Sequence, residues 1–211
     1  GSPCPWMRWG ASVTSRRTRE AYSSVAGTYI ELLGSIDSVE EADKSFISEG
    51  FEGVAEVLDV GCGPGHLTAY LSGLGHQAAG IDLVPEFVNH ARSTYPGTDF
   101  SVADIASFST ETKRVDGVLA WYSLIHMSPG EMAKALQRIS EILVPGGVLI
   151  YGGFLAPSRT LFDHRVTAAT AYSEDEIKRL IENAGFRIRR SETRPETATK
   201  RAHIAVAAVH T

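Results

Sequence analysis

The chain has 211 residues, 43% hydrophobic and 21% charged, which is enough apolar material for one well-filled globular core. A formal net charge of -5 excludes a general attraction to nucleic acid or an anionic membrane surface and favours small-molecule or protein substrates. No apolar run reaches spanning length, residues 1–15 lack a signal-peptide core, and the two cysteines, Cys4 and Cys62, make no disulfide framework, so a cytoplasmic protein without a membrane partner is expected.

Residues 1–15 carry Pro3, Pro5, Gly10, Ser12 and Ser15 without a period and read as a mobile tail that Trp6 and Trp9 could pin to a surface. From Arg16 to Leu33, Tyr22, Val25, Ala26, Tyr29, Ile30 and Leu33 recur at helical spacing, which predicts an amphipathic helix. Asp37 to Gly50 reads as a short acidic helix capped by Asp37 or Ser38, with Val39, Ala42, Phe46 and Ile47 inward. Residues 16–50 are therefore expected to form a helical cap, and residues 51–211 the core.

The core opens on Val57-Leu58-Asp59-Val60-Gly61-Cys62-Gly63-Pro64-Gly65-His66-Leu67. A β-branched run stops at three alternating glycines, and Leu67, Tyr70, Leu71 and Leu74 follow at helical spacing: strand, tight loop, helix. With no Cβ at 61, 63 or 65, backbone N–H groups and the positive end of the next helix can approach a ligand closely. A dinucleotide fingerprint would place its third glycine at His66; here it comes one position earlier, at Gly65, which weakens a pyrophosphate reading. Gln77 to Asp82 is a second strand ending in a carboxylate suited to ribose hydroxyls. A helix opens at Pro85, a third strand covers Thr98 to Val102, and Asp104-Ile105 follows, an acid beside an apolar side chain that suits an exocyclic amine on a flat ring. Asp104 could equally cap a short helix before Ser107. This alternation predicts a doubly wound α/β core, a mostly parallel Rossmann-like sheet with ligands at the strands' carboxyl ends.

Asp59 to Gly65, Asp82 and Asp104-Ile105 resemble, in order, the cofactor motifs of class I S-adenosylmethionine-dependent methyltransferases, over roughly residues 54–209. The resemblance implies a seven-stranded sheet, S-adenosyl-L-methionine as cofactor, S-adenosyl-L-homocysteine as product, and a cofactor site comprising Asp59, Gly61, Cys62, Gly63, Gly65, His66, Leu67, Asp82, Leu83, Asp104 and Ile105. In many small-molecule members a helix with a similar Tyr and Ala pattern lies over the cofactor, so Tyr22 and Tyr29 either line that site or serve as core contacts.

Val115 to Trp121 is the fourth strand, and in this family the next segment, Tyr122 to Met127, faces the transferable methyl. Trp121 and Tyr122 offer aromatic walls for a sulfonium cation, although one of them could pack under the sheet. His126 is a candidate base for an acceptor hydroxyl or amine, or else a brace for its loop. The Asn- or Asp-Pro-Pro-aromatic stretch of amino-methylating nucleic-acid enzymes is missing, and no cluster of two acids and an amide suggests a Mg²⁺ site, so neither nucleic acid nor a metal is expected.

Ser128 to Leu143 reads as a helix ended by Pro145-Gly146-Gly147, and Val148 to Gly152 as a fifth strand. Gly153 to Tyr172 is unpatterned and long, as lids and binding loops are; its Arg159, His164 and Arg165 either receive an anionic group of the substrate or are solvated charges. Ser173-Glu174-Asp175-Glu176 predicts a capping box on a helix to Asn183, stopped by Gly185. Phe186 to Thr193 and His203 to Val209 close the sheet as a hairpin, which puts His203 and His210 away from the site.

The activity implied is methyl transfer to an O or N acceptor on a small molecule, one bearing an anionic group if the basic loop residues act. A catalytically silent cofactor-binding protein on the same fold is the alternative. An NAD(P)-dependent oxidoreductase is disfavoured by the position of Gly65 and the absence of a clear Tyr-x-x-x-Lys pair.

Overall fold

The computed structural model describes residues 12–108 and 114–211, so most of the expected tail, with Trp6 and Trp9, lies outside the described residues. The first helix, α1, spans Val13–Leu33 and begins three residues before the expected Arg16, because Ser12 caps it by accepting the Ser15 N–H at 3.0 Å. The expected acidic helix is broken. Ile36–Ser38 form a single 3-10 turn capped by Ser35, and α2 runs only over Glu41–Gly50. Asp37 and Ser38 therefore do not cap α2, whose first turn starts from Glu40.

Seven strands form the main sheet: β1 (Glu56–Val60), β2 (Gln77–Asp82), β3 (Asp99–Val102), β4 (Val115–Trp121), β5 (Leu143–Phe154), β8 (Phe186–Arg194) and β9 (His203–His210), in the order β3-β2-β1-β4-β5-β9-β8. The strands from β3 to β5 are parallel, and β9 inserts antiparallel between β5 and β8. Helices α3 (His66–Gly73), α4 (Pro85–Thr94) and α5 (Pro129–Ile142) connect the parallel strands, and α6 (Glu174–Asn183) precedes β8.

The sheet is buried on both faces, as the near-continuous apolar runs of its central strands require. Leu58, Val118, Leu149 and Val206 meet Met132, Leu136 and Ile139 of α5 and Ile177 and Ile181 of α6. The alternate residues Val57, Leu119, Ile150 and Ala205 meet Phe46 and Ile47 of α2 and Leu67 and Leu71 of α3. Burying each such aliphatic side chain contributes roughly 1.5–3 kcal/mol, so α2 is part of the core and not only a lid. Helix α1 instead packs Tyr22, Ala26, Tyr29 and Ile30 on Leu83, Val84 and Phe87, directly after β2.

Two expectations about connections are corrected. Pro145-Gly146-Gly147 does not lie between α5 and a later strand: β5 begins at Leu143, and a register shift between Val115 and Gly117 of β4 absorbs the turn residues. The segment from Gly153 to Tyr172 is not an irregular lid, since β5 continues to Phe154, and β6 (Thr160–Phe162) pairs antiparallel with β7 (Ala169–Ala171) as a small second sheet.

Candidate active site

Of the expected cofactor-side residues, Gly61 to His66 follow β1, Asp82 and Leu83 stand at the end of β2, Asp104 and Ile105 follow β3, and Trp121 ends β4. Gly61, Gly63 and Gly65 all have positive φ, the left-handed region in which glycine is unstrained. Their surroundings differ. A Cβ on Gly61 would collide with the Ser123 Cβ and one on Gly65 would meet the Ala91 Cβ at 2.7 Å, whereas one on Gly63 would meet nothing within 4 Å. Gly61 and Gly65 are glycines because protein crowds them, and Gly63 faces open space.

Asp82 ties this loop to β2. One carboxylate oxygen accepts the Gly63 N–H and the other the Val84 N–H, both at 2.8 Å. Burial pushes its pKa up to about 6, against the hydrogen bonds that favour the charged form. Asp59 is 2% exposed and accepts the Thr68 hydroxyl at 2.7 Å, which fastens β1 to α3; burial raises its pKa to about 7. Cys62 is buried among Val88, Ala91 and Phe100, beneath the loop. Leu67 lies in the core, Leu83 packs with Tyr22 and Tyr29, and Ile105 is buried. Asp104 accepts the Ala106 N–H at 2.9 Å and so caps the 3-10 turn Ile105–Ser107.

Two buried polar atoms beside the loop have no protein partner among the described residues: Nδ1 of His66, whose pKa burial lowers to about 4, and Oγ of Ser123. Such groups are costly unless something completes them. With the space over Gly63 and the carboxylate of Asp82, they fit a ligand that carries hydrogen-bonding groups at several points, as S-adenosylmethionine does. Sequence reasoning passed over Ser123; its only signal was its place two residues beyond β4.

On the acceptor side the central finding is a hydrogen-bonded His126. Its Nδ1 lies 2.8 Å from the Ala168 carbonyl oxygen, which can only accept, so Nδ1 carries the proton. Burial lowers the imidazole pKa and keeps the ring neutral, and Nε2 therefore accepts from the Tyr22 hydroxyl at 2.9 Å. Tyr22 also meets Tyr29 and Phe87 edge-on, which joins the cofactor side to His126. His164 stands beside His126, with ring centroids 5.3 Å apart, and burial followed by the neighbouring His126 lowers its pKa to about 4.

Tyr122 has φ 56°, an unfavourable value for a bulky side chain that marks a backbone held by its surroundings. Its hydroxyl is hydrogen-bonded to Nδ1 of His203, on which its ring stacks, and its edge meets Phe154. His203 was expected far from the site; the insertion of β9 beside β5 brings it there, and this is a correction. Its Nε2 lies 3.8 Å from Asp43 of α2, which pairs with Arg194, and Trp121 packs against the same ring. Arg159 pairs with Glu176 at 3.2 Å, which withdraws Glu176 from the reciprocal half of the predicted capping box. Arg165 is exposed and has no carboxylate partner among the described residues.

Two cavities adjoin this region. One of about 570 Å³ lies between the end of β5, the start of α6 and Arg201, one aromatic layer from Tyr122 through Phe162 and Phe154. The other, of about 190 Å³, is lined by His126 together with α1 and the β6–β7 hairpin. Among the described residues no group of three or more His, Cys, Asp or Glu could hold a metal ion, and no helix is long and apolar enough to cross a membrane.

Residues 57–147 match the family described as methyltransferase domain. That match covers less than half of the chain, and the seven-stranded sheet around it has the fold of solved S-adenosylmethionine-dependent methyltransferases. An O-methyltransferase of Penicillium expansum is 33% identical over 146 residues, which is 63% of this chain and 52% of that protein. The trans-aconitate 2-methyltransferase of Methylobacterium nodulans is 38% identical over 101 residues, 45% of this chain and 36% of that protein. The malonyl-acyl-carrier-protein O-methyltransferase of Salmonella typhimurium is 31% identical, over 46% of this chain and 38% of its own length. The chain thus spans about half the length or less of these curated relatives. Among solved structures, the 1,6-didemethyltoxoflavin-N1-methyltransferase of Burkholderia thailandensis, with its substrate and S-adenosylhomocysteine bound, has TM-score 0.75 at 22% identity, covering 97% of this chain and 93% of its own. A Leishmania major S-adenosylmethionine-dependent methyltransferase has TM-score 0.77 at 16% identity, covering 92% and 82%.

Proposed function

We propose that the chain transfers a methyl group from S-adenosylmethionine to an O or N atom of a small molecule bearing an anionic group, without a metal. The observation that carries this is the pairing of an open glycine, Gly63, with the buried Asp82 at the carboxyl edge of the sheet, one aromatic cluster away from a hydrogen-bonded His126. Two relatives act, by name, on malonyl-acyl-carrier protein and trans-aconitate, both of which carry carboxyl groups.

When bound, S-adenosylmethionine supplies a methyl group already activated by its sulfonium. Asp82 would hold the ribose, the Gly61–Gly65 loop with His66 and Ser123 the methionine portion, and Asp104 with Ile105 the adenine. Residues 16–50 would cap the site, exclude water and align the acceptor. Both His126 nitrogens are engaged, so a proton leaving the acceptor passes to the Tyr22 oxygen while the Tyr22 proton moves to Nε2. Tyr122 and Trp121 would wall the methyl-transfer space. A cytoplasmic setting belongs to the same reading, supported by the free, buried Cys62, and the net charge of -5 supports partners other than nucleic acid or membrane.

Calorimetric titration with S-adenosylhomocysteine, beside NADH and on Asp82→Ala, tests the reading. Binding of the first alone, weakened tenfold or more in the variant, is expected. No binding to the wild type would overturn the proposal; binding without turnover on any acceptor would favour a sensor.

A further inference from the structure

We infer that the cavity of about 190 Å³ beside His126 is the acceptor subsite and that Arg17 of α1 is its carboxylate anchor, so that the acceptor is a small, oxygen-rich carboxylate. This rests on the methyltransferase reading and names its substrate class.

Three elements line the cavity with polar groups. Arg17 and the hydroxyl-bearing Thr14 and Thr18 come from the first turns of α1, Thr167 and Thr170 from the β6–β7 hairpin, and His126 from beyond β4. With Ser128, five hydroxyls, one guanidinium and one imidazole on a wall of this size select a compact polar molecule; a flat aromatic acceptor would leave those groups unpaired. The volume is that of a short-chain acid and too small for a drug-sized ligand.

The charge balance points the same way. The one carboxylate in the lining, Glu131, accepts the Ser128 N–H at 2.9 Å within the capping box that starts α5, and it also takes a hydrogen bond from the Thr14 side chain. Its oxygens are committed to the fold. Arg17 has no carboxylate partner among the described residues, in contrast to Arg159, which Glu176 holds. A guanidinium at the mouth of a polar cavity, without a protein counter-ion, matches the fork geometry of a carboxylate.

The cavity also lies on the correct side of the chemistry. His126 forms part of its wall and is hydrogen-bonded to Tyr22, which packs on Phe87 just after β2, where Asp82 stands. A molecule with its carboxylate on Arg17 therefore extends toward the Tyr22–His126 pair, beside which its acceptor atom would meet the methyl donor directly. Because α1 supplies both Arg17 and Tyr22, one helix would recognise the acceptor and close the cofactor site.

The test is calorimetry on protein saturated with S-adenosylhomocysteine, with succinate and tricarballylate as probes and dimethyl succinate as the uncharged control. Saturable binding of at least one acid and none of the ester is expected, with Arg17→Ala weakening it tenfold or more and S-adenosylhomocysteine affinity unchanged. Arg17 is exposed on its helix, so the variant should fold, and Thr170→Val, at a buried wall position, provides a second reading with a smaller loss. Binding of neither acid to the loaded protein, or binding that ignores both substitutions, would overturn the inference while leaving the methyltransferase reading intact. Failure of S-adenosylhomocysteine itself to bind would sink that reading instead, and it is read separately in the loading step.

Discussion

Tyr22 and His126 stand 104 positions apart in the chain and meet at 2.9 Å, the phenol donating to Nε2 of a ring whose other nitrogen is fixed on the Ala168 carbonyl. The bond joins a helix of the cap to the segment that leaves β4, so it couples the position of α1 to the tautomer of the imidazole.

The coupling is measurable without an acceptor. Tyr22→Phe and His126→Ala should each destabilise the protein by about 1 kcal/mol, and the double variant should fall short of the sum by a similar amount, as for two ends of one part-buried hydrogen bond. Urea denaturation of the four proteins checks this; full additivity would mean that the contact contributes nothing.

The glycines of the loop should separate by what surrounds them. Gly65→Ala forces a methyl against Ala91 and Phe100 and should cost stability by about 1–3 kcal/mol. Gly63→Ala meets no neighbour and bears only the strain of its φ of 53°, about 1 kcal/mol, yet it fills the space assigned to the ligand. Melting curves should therefore single out Gly65, and S-adenosylhomocysteine affinity should fall tenfold or more in Gly63→Ala.

Cofactor affinity should depend on pH through Asp82. Its pKa is raised to about 6, so it is ionised and a full acceptor at pH 7.5 but mostly protonated at pH 5. If only the ionised form holds the ribose, affinity should be flat above pH 7 and drop about tenfold by pH 5. Asp82→Asn should bind weakly at both values; a wild-type affinity that ignores pH would remove Asp82 from the ribose.

His203 gives the opposite kind of signature, in stability. Burial, then Arg194, lowers its pKa to about 4, so the native protein keeps it neutral while the unfolded chain takes up a proton near 6.5. Its stabilising contribution is present above pH 6.5 and is lost as pH falls toward 4, at up to about 1.4 kcal/mol per pH unit. His203→Asn, which can still face the Tyr122 hydroxyl, should lose less stability than the wild type between pH 7 and pH 5 in urea titrations.

The sheet, its parallel core and the glycine loop were legible because each rests on local signals: β-branched runs, positive-φ glycines and an acid at a strand end. The break before α2 was missed because Ser35 and the 3-10 turn compete with a helix start at Asp37, and nothing local decides between them. The strands β6 and β7 are three residues each and are stabilised by each other, which leaves no periodicity to read. The meeting of Tyr122 with His203, and of Arg159 with Glu176, depends on which strands lie side by side. Of the two readings open for Asp104, the structure shows the cap on the next turn.

The place of β9 bears on the order in which the molecule can be built. Its residues enter the sheet between two strands already present in the nascent polypeptide, and until His203–His210 emerges from the ribosome, β5 and β8 each expose an unpaired edge. A chain halted before β9 therefore lacks an interior seam of the sheet, and both halves would offer sticky borders to other copies. The arrival of β9, more than the addition of any one helix, joins these two borders.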